Sequence, residues 1–238
     1  MNLYEKQIEK ELTQWYKEIR KEANLLQRSS DQLQKQTQKM IPAKVKDTIT
    51  TVMETMTETI MNGSGLLSIR EDTAGMSLAE RDYLVLRSFR TYRNTATVQG
   101  AGFGMGGLLL GMADLPVLMS IKIKFMFDTA KLYGYDPEQM EERLYLLHIF
   151  QLAFSGKEHQ WRIFKVLENW EQADSYAINW EKLQTEYRDY LDVAKLLQLL
   201  PVVGSVAGGT ANFRLMNRLC DTAMNCYRMR ILGKHFLS

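Results

Sequence analysis

The feature that most constrains the fold is a glycine-rich stretch from Asn94 to Ile121, NTATVQGAGFGMGGLLLGMADLPVLMSI, in which Asp114 is the only charged residue. A second uncharged stretch, from Leu196 to Phe213, is also rich in glycine and also contains one proline. Small residues recur four positions apart, as at Gly100 and Gly104, and this spacing lets two helix backbones approach closely. We therefore predict that both stretches form short helices that pack together.

The remainder of the chain has the composition of helices. Its long segments are poor in proline and rich in Leu, Met, Glu, Gln and Lys, and no segment shows the alternation of a strand. The expected fold class is all-α, a single multi-helix domain with the two glycine-rich apolar segments at its centre. The predicted helices cover residues 3–40, 42–62, 77 into the central stretch, 115–133, 137–154, 157–171, 179–200 and the C-terminal segment.

Local signals mark several of these helix ends. Ser77 and Glu80 have the spacing of a capping box, in which each side chain bonds the other's backbone N–H. Asp114, two residues before a proline, is expected to cap the helix that follows it. Gly134 is expected to end that helix in a left-handed conformation. Asp136, directly before a proline, predicts the start of the next helix.

The glycine pattern Gly102-x-Gly104-x-x-Gly107 matches a dinucleotide-binding fingerprint only superficially. A true fingerprint follows a strand and opens the helix of a βαβ unit, whereas this one follows a helix. No cofactor is therefore predicted.

The histidines and cysteines do not have the spacing of metal ligands. His148 and His159 are eleven residues apart, and neither has a carboxylate at ligand spacing. Cys220 and Cys226 point to different faces of a helix, which makes them free thiols rather than a disulfide or a metal pair. No metal site is predicted.

A membrane-spanning helix is disfavoured, although the central stretch is apolar. Spanning requires ~20 apolar residues, and an Asp at the bilayer centre costs ~2.5–3.5 kcal/mol. Divided at Asp114, the stretch gives two arms that are too short to cross. The N-terminus lacks the apolar region of a secretory signal, so the expected location is cytoplasmic.

Two interpretations of the apolar stretches remain open, a buried core and a surface that meets lipid or a partner protein. In the second, the contacting residues are Phe103, Met105, Leu108, Leu109, Leu110, Met112, Val202, Val203 and Val206. The basic residues that would face anionic lipid headgroups are Arg87, Arg90, Arg93, Lys122 and Lys124. The net charge of +2 argues against nucleic acid as a partner.

A third interpretation is a soluble enzyme or a protein that binds a hydrophobic ligand. Its site would lie near Asp114 and would include Tyr133 or Tyr135 together with His148. No nucleophile–base pair, carboxylate pair or metal cluster supports this interpretation by its spacing.

Three segments resemble the EcsC family, in the same order along the chain: GAGFGMGGLLLGMADLP, KLYGYDPEQMEERL and LPVVGSVAGGTANF. The resemblance implies a compact bacterial helical protein, commonly encoded beside the ATPase and membrane subunits of an ABC transporter, without an established activity or cofactor. A non-enzymatic accessory protein, peripheral on the cytoplasmic face of the membrane, is the function it suggests. Where the family often has Arg after the Asp-Leu-Pro helix start, this chain has Lys122 and Lys124.

The resemblance also suggests a division of the chain. Residues 1–41 would be an N-terminal amphipathic helix packed on the domain, and residues 42–238 would be the EcsC-like helical domain. The expected partners are an anionic membrane surface and transporter subunits, and the oligomeric state stays open.

Overall fold

The computed structural model describes residues 1–26, 43–63, 72–103, 115–155, 157–172 and 205–233. In these ranges the chain forms seven α-helices and one short 3₁₀ helix, which confirms the all-α prediction. The helices are α1 Leu3–Leu26, α2 Ala43–Asn62, α3 Leu78–Phe103, α4 Leu115–Leu132, α5 Met140–Phe154, α6 Lys157–Glu168 and α7 Ser205–Leu232, with the 3₁₀ helix at Trp170–Gln172.

The C-terminal helix α7 lies at the centre of the packing and runs antiparallel to α3, its most extensive neighbour. Arg228 near the end of α7 bonds Asp82 near the start of α3. At the other end of the pair, the guanidinium of Arg93 lies 4.8 Å from the ring centre of Phe213.

Helix α4 also runs antiparallel to α3. The rings of Phe89 and Phe125 are 5.7 Å apart, and Tyr133, just after α4, bonds Asp82. The end of α3 and the starts of α4 and α7 therefore lie at one end of the bundle, which we call the glycine-rich end because the two glycine-rich stretches meet these helices there. The opposite end, around Asp82 and Arg228, we call the network end.

The apolar stripe predicted for the first helix is buried, as Ile8, Leu12 and Ile19 show. This helix packs mainly on α6 through aromatic contacts, with the rings of Trp15 and Phe164 5.3 Å apart. Helix α5 is buried along almost its whole length from Leu144 to Phe154, and it forms the middle of the core between α6 and α7.

Two of the predicted helix ends are confirmed. Ser77 N–H donates to Glu80 Oε2 at 2.7 Å, and Glu80 N–H donates to Ser77 Oγ at 3.4 Å, as a capping box requires. After α4, Gly134 has a φ of +89° and Tyr135 N–H donates to the carbonyl of Ala130 at 3.0 Å. These bonds form a Schellman motif at Gly134.

The predicted helix start at Asp136 is wrong, because α5 begins at Met140. The Asp136 side chain accepts from Glu138 N–H at 3.1 Å, and its carbonyl accepts from Gln139 N–H at 3.1 Å, which forms a turn instead. Gln139 is extended, and Arg143 bonds back to the turn carbonyls. The Asp136 side chain does accept from a backbone N–H, as a helix cap would. It does so in a turn before the helix, where Arg143 bonds the turn carbonyls.

Several predictions fall on residues outside the described ranges. They are the predicted helices at 27–40 and 179–200, the proposed boundary at residue 41, the cap at Asp114, and the mutual packing of the glycine-rich stretches.

An arginine binds the carbonyls around the end of α2. Arg143 Nη1 donates to the Met61 carbonyl, Nε donates to Pro137 at 3.0 Å, and Nη2 donates to Glu138 at 2.6 Å. The guanidinium can lie there because Gly63, with a φ of +63°, has no side chain, and a β-carbon would collide with it. Glycine is needed here both for its backbone conformation and for space.

We expect Gly63→Ala to destabilise the protein more than Gly233→Ala. Gly233 also follows a helix, with a φ of +60°, but a β-carbon there meets nothing within 4 Å. Both variants carry the strain of a positive φ, about 1–2 kcal/mol. Gly63→Ala should cost about 1–3 kcal/mol more, because the carbonyls bound by Arg143 lose a charged donor.

Urea unfolding at neutral pH measures both costs. Equal losses of unfolding free energy in the two variants would show that Arg143 moves aside without cost.

Candidate functional site

A buried carboxylate at the network end, Asp82, joins three helices. Its side chain is 1% exposed and accepts from the hydroxyl of Tyr4 at 2.6 Å, from the hydroxyl of Tyr133, and from Arg228 Nε at 3.0 Å. Arg228 Nη1 also lies 3.7 Å from Glu11 of α1. Burial, reinforced by the bond to Asp82, raises the pKa of Tyr4 to about 12, so its hydroxyl is a donor at neutral pH.

A second buried carboxylate, Glu142 of α5, lies beside α7. It accepts from the Tyr227 hydroxyl and forms an ion pair of 2.6 Å with Arg230, whose Nε also bonds Glu171. Burial raises the pKa of Glu142, and Arg230 opposes this shift. The Arg230 guanidinium lies 4.0 Å from the ring centre of Tyr135, a cation–π contact.

Stacked rings connect the two carboxylate centres and continue towards His148. Tyr133 stacks on Tyr227 at 5.1 Å, and Tyr227 lies 5.4 Å from Tyr145. Trp170 is 5.1 Å from Tyr145 and 5.3 Å from His148. Two residues of the predicted polar site, Tyr133 and His148, are thus the two ends of one aromatic row rather than neighbours.

Burial keeps the titratable groups of this row uncharged at neutral pH. Burial raises the pKa values of Tyr133, Tyr145 and Tyr227 well above 10, and burial lowers the pKa of His148, whose Nδ1 bonds the Leu144 carbonyl at 2.8 Å. The third predicted member, Asp114, lies outside the described residues. The described ranges also contain no His, Cys, Asp and Glu cluster that could hold a metal ion.

Most of the residues predicted to contact a membrane or a partner cannot be placed. Met105, Leu108, Leu109, Leu110, Met112, Val202 and Val203 lie outside the described residues. Phe103 is the last residue of α3 and Val206 lies in the first turn of α7, so both are at the glycine-rich end. None of the described helices is long and apolar enough to cross a bilayer.

The predicted basic residues divide into two groups. Arg87 and Arg90 are exposed on α3, and Arg93 and Lys124 are partly exposed. Lys122 is only 1% exposed, so the prediction that it faces lipid headgroups is wrong for this conformation. It lies on the core side of α4, one residue before the buried Ile123, and burial lowers its pKa to about 8.

The sequence matches the EcsC protein family over residues 6–232. The chain belongs to the EcsC family. It is 38% identical over 222 residues to Protein EcsC of Bacillus subtilis strain 168, covering 93% of this chain and 94% of that protein. It is 31% identical over 166 residues to the uncharacterized protein YdbA of the same strain, covering 67% of this chain and 61% of YdbA. No solved structure matches it significantly.

Sequence reasoning missed most of the buried network in this EcsC-family chain. Arg230 pairs with Glu142 and Glu171, whereas the partners of Arg228, Asp82 and Glu11, lie far earlier in the chain. Helix spacing predicts contacts only between residues a few positions apart, and Arg228 and Asp82 are 146 residues apart. Only the three-dimensional structure therefore identifies Asp82 as the partner of Arg228.

We expect Asp82→Ala to destabilise the protein by about 3–5 kcal/mol, because it leaves the Arg228 guanidinium partly buried without its closest carboxylate. The control is Asp72→Ala, since Asp72 is exposed and its side chain bonds Ala74 N–H at 2.9 Å. This control should lose about 1 kcal/mol. Urea unfolding of both variants tests the difference, and similar costs would show that the network does not hold the helices together.

The pH dependence of stability should contain a contribution from His148. Its pKa is lowered in the folded protein, so its stabilising contribution is fully present above the unfolded pKa of about 6.5 and is lost as pH falls through the folded pKa. The loss can reach about 1.4 kcal/mol per pH unit within that window. Unfolding of wild type and His148→Gln from pH 8 to pH 5 should show this loss only in the wild type.

The control variant is His159→Gln, since His159 is partly exposed on α6. It should keep the acid-dependent loss. If His148→Gln keeps it as well, His148 is not its source.

Proposed function

We propose that this EcsC-family protein is a non-enzymatic accessory protein that attaches to an anionic membrane surface through the glycine-rich end of its helical bundle. The observation that carries the proposal is the separation of charge along α3, α4 and α7. From Tyr83 to Phe103, from Leu115 to Lys124 and from Ser205 to Cys220 these helices contain basic residues and no acid. The acids on these three helices, among them Asp82, Asp128 and Asp221, lie outside these ranges and towards the network end.

The exposed face of α3 has the composition of a membrane-interface surface. Tyr83 is 65% exposed and Leu86 is 42% exposed, and with Arg87 and Arg90 they recur at helical spacing on one face, which runs from the network end to the middle of α3. An aromatic ring, an aliphatic side chain and two guanidiniums can share the boundary between headgroups and acyl chains. Near the end of this face, Arg93 lies over the exposed ring of Phe213.

The charge separation also gives the attachment a direction. A negatively charged membrane attracts the basic residues of the glycine-rich end, whereas the carboxylates Asp82 and Glu142 at the network end are neutralised by arginines, and this difference orients the bundle before contact. The glycine-rich stretches that meet this end would then arrive first at the surface. This orientation suits attachment from the cytoplasmic side, whose leaflet is the anionic one.

A transporter subunit in the same membrane is the expected protein partner, because the EcsC-family resemblance implies an association with ABC transporters. A bundle held at the membrane by its glycine-rich end would present apolar residues such as Phe213 at the level where a membrane-embedded subunit emerges. This part of the proposal rests on the family resemblance, with the exposed apolar residues in support.

Co-sedimentation with vesicles tests the attachment. We expect the protein to pellet with vesicles that contain phosphatidylglycerol and not with pure phosphatidylcholine vesicles, and high salt should release it. Arg87→Gln/Arg90→Gln should weaken binding about 30-fold, since each basic side chain near the surface contributes about 1 kcal/mol.

The matched control is Lys6→Gln/Lys10→Gln, which removes the same charge from two exposed lysines near the start of α1. This variant should bind almost as well as the wild type. Equal weakening in both double variants would mean that net charge, not this face, drives binding. No pelleting of the wild type at low salt would remove the proposal.

A further inference from the structure

A polar cleft of about 480 Å³ lies between α1 and α7. Trp15 and Glu18 line it from α1, and Gln160 lines it from α6. The α7 wall includes Arg214 and Asp221. Its size is in the range of sites that bind small molecules.

The α7 wall contains five polar side chains at helical spacing: Arg214, Asn217, Arg218, Asp221 and Thr222. Arg218 has an interaction partner, whereas the other four make no hydrogen bond or ion pair within the described part of the chain. Further along the same helix the polar groups are bonded, as Tyr227, Arg228 and Arg230 show. Near the network end the polar side chains of α7 bond other protein groups, whereas at the cleft four of its polar side chains can bond a ligand.

The charges of this row are arranged as a dipole. Arg214 and Asp221 are seven residues apart, about 10 Å along a helix. Between them lie the amide of Asn217 and the guanidinium of Arg218, and the hydroxyl of Thr222 directly follows Asp221. Glu18 adds a second carboxylate opposite Asp221. Burial raises the pKa of Asp221, and the charge of Arg228 opposes this shift.

We propose that this cleft binds a short zwitterionic peptide, with its terminal carboxylate on Arg214, its terminal ammonium on Asp221, and its peptide groups on Asn217 and Thr222. An extended tripeptide spans about 10 Å, which matches the separation of the two charged residues. Amide and hydroxyl side chains both donate and accept, so they suit the alternating N–H and C=O groups of a peptide. Trp15 supplies an apolar wall for the peptide's side chains.

The composition of the cleft disfavours other ligand classes. Two arginines, Arg214 and Arg218, are balanced by two carboxylates, Asp221 and Glu18, so a simple anion gains no net attraction. A hydrocarbon would desolvate polar side chains without bonding them. A ligand that carries both charges at the right distance satisfies both ends of the row.

Calorimetric titration of the full chain with triglycine, glycine and N-acetyl-triglycine tests the proposal. Triglycine should bind about tenfold more tightly than N-acetyl-triglycine, which lacks the ammonium group. Glycine should bind more weakly than triglycine, because it has no peptide groups to bond Asn217 and Thr222. If the protein does not distinguish the three ligands, or binds none, the proposal is overturned.

The variants Asp221→Asn and Arg214→Gln assign the two ends of the ligand. Asp221→Asn should weaken triglycine binding about tenfold and leave N-acetyl-triglycine binding unchanged, whereas Arg214→Gln should weaken both. Lys6→Gln, outside the cleft on α1, should leave both unchanged. Equal loss of both ligands in Asp221→Asn would mean a general change in the cleft and would contradict the assignment.

Discussion

The structure depends on two buried ion pairs at one end of α7, Arg228 with Asp82 and Arg230 with Glu142. Removing charges from water costs several kcal/mol per ion, so such pairs exist only where geometry and additional hydrogen bonds compensate. Here tyrosine hydroxyls supply those bonds on both carboxylates. Because one partner of each pair is on α7, a shift of α3 or α5 by a single turn would leave buried charges unpaired.

This constraint sets the alignment of the bundle. Asp82 fixes α3 and the end of α4 against α7, and it also reaches α1 through Tyr4. Glu142 fixes α5, whose buried side chains then form the core with α6 and α7. The positions of α1, α3, α4 and α5 against α7 are thereby determined at the network end.

How much the sequence predicts depends on how local each signal is. The capping box at Ser77, the Schellman motif at Gly134 and the buried stripe of α1 depend on residues within a few positions, and they are confirmed. The start at Asp136 and the exposure of Lys122 depend on which segments pack nearby, and both predictions are wrong. Asp82 was missed for the same reason, since its arginine lies 146 residues away.

The division of polar groups along α7 connects the fold to the proposed functions. The end of a helix whose polar atoms bond other helices is held rigidly. The end whose polar atoms have no protein partner can bond a ligand. In α7 the bonded end contains Arg228 and Arg230, and the open end contains Arg214 and Asp221. Binding at the open end need not disturb the buried pairs, because about two helical turns separate Asp221 from Arg228. Stability and recognition can therefore reside in one helix without competing for the same side chains.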